Sequence, residues 1–159
     1  MDEIVVRSLA KWPNVPAVYG WLDLDRRGNW LIKGERIGNV ALREFIARNY
    51  AVDDRGCWFF QNGPQRVFVR LAYTPFVMHY QGDALFDHCG RPIDALETLL
   101  DDEGSVLVRG PHGIGLLDDR DLARYADIGE RLPRIARADV ERRFGFVSDP
   151  GNRAGDSLR

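Results

Sequence analysis

GNWLIKGERI (residues 28–37), followed by ALREFI (41–46) and GCWFFQNGPQRVFV (56–69), returns about fifty residues later as GDALFDHCGRPI (82–93), ALETLL (95–100) and GSVLVRGPHGIGLL (104–117). In order, Gly28 matches Gly82, Leu31 matches Leu85, Ile37 matches Ile93, and Ala41-Leu42 matches Ala95-Leu96; Gly56 then matches Gly104, and Gly63-Pro64 matches Gly110-Pro111. A unit that recurs at this period rarely buries its own apolar face, so two copies packed together predict one shared core.

The local signals inside each copy are of the same kind. Asn39 is suited to cap a helix whose face carries Ala41, Leu42, Phe45, Ile46 and Tyr50. In the second copy Asp94 and Glu97 stand at capping-box spacing before Leu96, Leu99 and Leu100, which predicts the matching helix. Each helix is followed by an acidic turn ending in glycine, Asp53 to Gly56 and Asp101 to Gly104, and then by a hairpin reversed at Asn62-Gly63-Pro64-Gln65 or Gly110-Pro111-His112-Gly113. Val67, Val69, Leu71 and Tyr73 alternate cleanly, so Arg66, Phe68 and Arg70 point to the opposite face of that strand.

Working outward, residues 1–17 read as a docking leader. A short helix begun by Asp2 carries Ile4, Val5, Leu9 and Trp12 on one side and stops before Pro13. Residues 18–81 form the first repeat, 82–128 the second and 129–147 a helical C-terminal segment, all in one domain spanning 1–147; a polar tail, 148–159, has no apolar anchor. Helices are expected from Asp119 to Ile128 and from Ala138 to Phe144, the latter closed by Gly145 in a left-handed cap with Phe146 folding back on Val140. The fold class is α+β: two hairpin-helix-hairpin motifs with antiparallel sheets, plus short C-terminal helices.

Composition narrows the function classes. A length of 159 residues supports one core, and 45% apolar, 11% aromatic and 29% charged residues are ordinary for a globular chain. The net charge of −2 removes the electrostatic case for nucleic acid. Acidic residues gather between Asp94 and Asp121 and arginines from Arg124 to Arg143, a mixed-sign pattern typical of solvated faces. No run is long and apolar enough for a membrane span. Asp2-Glu3 stand where a secretory signal has basic residues, so the expectation is a cytoplasmic chain with Cys57 and Cys89 as thiols.

The first copy carries Gly28-x-Trp30, Gly34, Ile37, Ala41-Leu42, Asp54 and Gly56 ahead of Trp58, and Pro75-Phe76-Val77. Over roughly Leu22 to Ile128 this pattern resembles a family of small bacterial proteins known only as a domain of unknown function. The resemblance implies a duplicated α+β fold and a role in signalling or ligand sensing, and it brings no catalytic residues. Leu71-Ala72-Tyr73-Thr74 stand where that family has acidic residues before its Pro-Phe.

For chemistry, no C-x-x-C, H-x-x-x-H or H-E-x-x-H spacing occurs, so no metal is expected, and no cofactor motif is present. Gly110 to Gly115 lacks the lysine and following helix of a phosphate loop. The binding face expected from sequence is Arg66, Phe68, Arg70, Tyr73 and His79, because arginine beside aromatic rings holds planar or anionic ligands. The corresponding function is a non-catalytic regulatory or scaffold domain that binds a small molecule or a protein, with no nucleic-acid or membrane partner and a homodimer left open. The alternative is a small hydrolase or thiol-dependent enzyme centred on His88 and Cys89 with Asp87, since a neighbouring imidazole favours a thiolate.

Overall fold

A computed structural model of the protein describes residues 3–151; the expected helix start at Asp2, the side chains of Ile4 and Val5 and the tail beyond Gly151 lie outside what is described. Chain order begins with α1 (Glu3–Ala10), β1 (Ala17–Leu24), β2 (Trp30–Ile32), β3 (Glu35–Arg36), α2 (Val40–Arg48), β4 (Tyr50–Val52), β5 (Trp58–Asn62) and β6 (Gln65–Leu71). It continues with β7 (Phe76–Gln81), β8 (Ala84–Asp87), β9 (Glu97–Asp101), β10 (Val106–Gly110), β11 (Gly113–Leu117), a 3-10 segment Asp119–Tyr125, β12 (Arg134–Ile135) and α3 (Arg137–Phe144).

Two six-stranded sheets result, in the orders β3-β2-β1-β6-β5-β4 and β12-β9-β10-β11-β7-β8. The duplication lies in these orders. In each sheet an arm that begins with the first strand of its copy (β1 or β7) and an arm that ends with the last strand of that copy (β6 or β11) meet side by side, and β12 extends the second sheet at its edge beside β9. That central pairing is parallel, Leu22 opposite Val69 and Asp23 opposite Arg70 in one sheet, Phe76 opposite Gly115 and Val77 opposite Leu116 in the other. The expected antiparallel sheets are therefore corrected to mixed ones. Hairpin signals are local and report only antiparallel neighbours, whereas a crossover returns the chain in its original direction. Ile37 and Ile93 hold equivalent places: each is buried, and each amide donates to the second strand of its sheet, Ile37 to the Trp30 carbonyl and Ile93 to that of Leu85.

The second helix does not form. Asp94 to Leu96 are irregular, Leu96 is exposed, and Glu97 to Asp101 make β9, in which Leu99 is buried opposite Leu107. The physical reason is chain length. From Ile37 to Gly56 there are 19 steps, but from Ile93 to Gly104 only 11, too few for both a helix and the strand that the sheet requires. Long-range pairing with β10 overrides the capping box. In the first copy both fit: Asn39 accepts the Leu42 amide at 2.8 Å, Leu42 and Ile46 are buried, and Tyr50 opens β4 instead of continuing the helix.

A finer repeat appears four times. In Asp25 to Asn29, Asp53 to Cys57, Asp87 to Arg91 and Asp101 to Ser105, the aspartate Oδ1 accepts the amides two and four residues on, at 2.8–3.0 Å. The fourth residue is always glycine at φ between 82° and 88°, a conformation costly for any side chain.

One hydrophobic cluster draws on both sheets, with Leu22, Leu24, Phe60, Val67 and Val69 from the first and Phe76, Met78, Leu99, Leu107 and Leu117 from the second. Thr74, in the connection between them, donates to the Phe76 carbonyl and accepts the Leu116 amide, so the linker is fixed as part of the core. Trp12 of the leader packs edge-on against Phe60 at 5.7 Å. Leu122 and Tyr125 are half-buried on a 3-10 segment shorter than the expected helix. At α3, Gly145 takes the left-handed cap at φ 68°, and Val140 and Phe146 are both buried. The tail starts anchored, since the Leu71 amide donates to the Ser148 carbonyl and the Val147 amide to that of Gly56.

Candidate functional site

The sheets meet in a group of rings. Trp30, Tyr50 and Trp58 come from the first sheet, Phe76 and His88 from the second. His88 lies 5.1 Å from Trp30, 5.7 Å from Tyr50 and 5.8 Å from Phe76, and Tyr50 lies 4.8 Å from Trp58. Close approach here depends on Gly28, whose Cα faces His88 so closely that an added Cβ would stand 2.7 Å from the His88 Cβ. Two of the four aspartate turns, 25–29 and 87–91, are thus pressed together. The Tyr50 hydroxyl donates to the Pro75 carbonyl at 2.7 Å, which ties the linker to the same group.

His88 is held in one protonation state. The Val77 amide donates to its Nδ1 at 3.2 Å, which requires the imidazole proton to sit on Nε2. Burial among rings then lowers its pKa to about 4, so the ring is neutral at physiological pH. Nε2 lies 3.8 Å from the Cys89 sulfur. That nitrogen carries the proton and cannot accept one from the thiol. Burial, followed by the charge of Asp87, pushes the Cys89 thiol up to about 12, and the expected activation of a thiolate is absent from this arrangement. Asp87 is fully buried and engaged: Oδ1 accepts the Cys89 and Arg91 amides and Oδ2 accepts the Arg91 Nε at 3.0 Å. It supports the turn and does not orient His88.

Above this floor opens a cleft of about 480 Å³. One wall is Val40, Arg43, Glu44, Ala47 and Arg48, the face of α2 opposite its buried Leu42 and Ile46. Gly28, Asn29, Trp30, His88, Cys89 and Gly90 make the other side. The cleft therefore lies where the two copies differ, against the helix that only the first possesses.

The five residues expected to form a binding face are not gathered in one place. Arg66, Phe68 and Arg70 do share the outer face of β6. There Phe68 is buried, stacked on Tyr19 at 4.8 Å in a small cluster with Cys57 and Phe59, and Arg66 lies over Phe59 at 4.3 Å. Arg70 makes a bidentate pair with Asp23 at 2.7 and 3.0 Å. Tyr73 turns to the inner side and donates to Asp101 at 2.8 Å, with the guanidinium groups of Arg26 and Arg137 over its ring at 5.3 and 4.7 Å. His79 sits on the second sheet, stacked on Phe86 at 6.1 Å. Sequence reasoning named His88 and Cys89 but missed Trp30, Arg43 and Arg48. The available signal was the i, i+3, i+4, i+7 spacing of Val40, Arg43, Glu44 and Ala47 on the second face of α2.

Among the described residues no group of three or more His, Cys, Asp or Glu is arranged to hold a metal ion, and no disulfide joins Cys57 to Cys89. No described helix is long and apolar enough to cross a membrane.

Two crystal structures share the fold. A DUF1285 family protein from Silicibacter pomeroyi DSS-3 aligns with a TM-score of 0.56 and 16% identity over 80% of this chain and 85% of its own. A second, from Shewanella baltica OS155, aligns with a TM-score of 0.51 and 16% identity over 67% of this chain and 90% of its own. At this identity the likeness is one of fold. No curated protein is significantly similar to the chain. Residues 1–151 match the family described as "Protein of unknown function (DUF2946)", and the chain belongs to that family.

Proposed function

We propose that this protein is a non-catalytic ligand-binding domain whose site is the cleft between α2 and the 87–91 turn. The observation that carries the reading is the fixed state of His88. Its Nδ1 is occupied by the Val77 amide, so the ring can act only as an Nε2–H donor, facing the sulfur of a thiol that burial keeps protonated. Such a floor recognises an acceptor and supplies no nucleophile. The ring group beneath it gives the reading a regulatory sense, because Trp30 and His88 both line the cleft and hold the two sheets together.

The test is an amide-shift map of the ¹⁵N-labelled protein titrated with a panel of small charged and neutral aromatic compounds. Shifts concentrated at Gly28, Asn29 and Gly90 support the reading. Shifts confined to Arg66, Phe68 and Arg70 would move the site to the outer face of β6, and a panel that leaves the cleft amides unmoved would overturn the proposal.

A further inference from the structure

The ligand class follows from two unpaired arginines on the wall of the cleft, and the inference rests on the cleft being the site. Ten arginines, from Arg27 to Arg143, stand within ion-pair distance of a carboxylate. Arg66 and Arg26 are otherwise engaged, over Phe59 and with the Ser105 hydroxyl. Among the described residues Arg36, Arg43, Arg48, Arg131 and Arg134 make no ion pair, and of these only Arg43 and Arg48 stand at the cleft, although Glu44 lies four residues before Arg48, the spacing at which helical pairs form. Both arginines line the cleft, and the wall they share with Glu44 carries a net positive charge.

The remaining surfaces of the cleft complete the pattern. Val40 and Ala47 lie on the same helical face and Trp30 lines the opposite side, so the cleft carries apolar surface beside its charged groups. Two carboxylates near the cleft are engaged elsewhere, Asp87 by its turn and Arg91, and Asp25 by the amides of Arg27 and Asn29 and the Asn29 side chain, which leaves Glu44 as the one acid on the arginine wall among the cleft-lining residues.

We propose that the cleft binds a small organic oxyanion, a carboxylate or a phosphate ester on a planar apolar body, with its charged end at Arg43 and Arg48 and an acceptor atom at the Nε2–H of His88. Guanidinium groups favour carboxylate and phosphate through paired N–H donors.

The test is calorimetric titration and amide-shift mapping with four probes of similar size: benzoate, phenyl phosphate, benzamide and benzylamine. Benzoate or phenyl phosphate binds and moves the cleft amides, benzamide and benzylamine bind at least about tenfold more weakly, and R43Q/R48Q lowers the oxyanion affinity at least about tenfold. The stronger of the two anions identifies the oxyanion. Should R43Q/R48Q fail to fold, the wild-type affinity falling as salt is raised replaces that arm. Benzamide binding in the cleft as tightly as benzoate, or an affinity indifferent to both the variant and salt, overturns the oxyanion while leaving the cleft as the site. If none of the four probes moves the cleft amides, both the ligand class and the site fall.

Discussion

The Val77 amide donates to Nδ1 of His88 at 3.2 Å, just where the pairing of β7 with β8 ends at Met78 and Asp87. A backbone donor that leaves the ladder is satisfied by an imidazole, and the imidazole is thereby fixed as the Nε2–H tautomer. Protonating His88 would destroy that acceptor and place a charge among Trp30, Tyr50 and Phe76.

Stability should therefore depend on pH through His88. Its folded pKa of about 4 lies below the ordinary 6.5, so the unfolded chain takes the proton first. The contribution is fully present above pH 6.5 and is lost as pH falls through 4. Between these limits the wild type should lose about 3 kcal/mol more than His88→Gln, which keeps an acceptor but does not titrate. Urea unfolding at a series of pH values measures this, and parallel curves for the two proteins would contradict it.

Cys89 should react slowly. With its thiol pushed up to about 12, the thiolate fraction at pH 7.5 is far below that of an ordinary cysteine. Alkylation by iodoacetamide in the folded protein should run at least about tenfold slower than that of glutathione, with no inflection near neutral pH. A rate equal to the free thiol, or a profile rising near pH 7, would restore the enzyme reading.

Gly28 and Gly34 separate backbone strain from crowding. Both have positive φ, 82° and 83°, so alanine strains either position by about 1 kcal/mol. Only at Gly28 does the new Cβ meet a neighbour, the Cβ of His88, whereas at Gly34 nothing lies within 4 Å. Gly28→Ala should cost at least about 2 kcal/mol more than Gly34→Ala in chemical denaturation. Equal losses would mean that the two turns do not meet as described.

The parts of the fold legible in the sequence were those whose causes are local. The glycines at 28, 56 and 104 mark turns because each needs a positive φ, and Val67, Val69 and Leu71 alternate because their face of β6 is buried. Parallel closure of each sheet was not legible, since Leu22 meets Val69 only after a crossover that no short-range signal encodes. The false helix at 94–100 came from trusting Asp94 and Glu97 over the shorter interval between Ile93 and Gly104, which was visible in the sequence. Of the candidate site, His88 and Cys89 were legible as a pair of unusual neighbours. Arg43 could have been found from its spacing with Val40, Glu44 and Ala47 on the second face of α2, but the lack of carboxylate partners for Arg43 and Arg48 is a property of the folded chain.

The cleft as ligand site is tested most directly by filling it. Ala47 lines the cleft from the outer face of α2 and is not part of the core cluster, so Ala47→Trp should occupy the cavity without unpacking Leu42 or Ile46. The measurement is the amide-shift titration with benzoate and phenyl phosphate, run on wild type and Ala47→Trp together with their unfolding midpoints. The account predicts that the shifts at Gly28, Asn29 and Gly90 vanish in the variant while its stability stays within about 1 kcal/mol of wild type. Undiminished binding by a stably folded Ala47→Trp protein would contradict it.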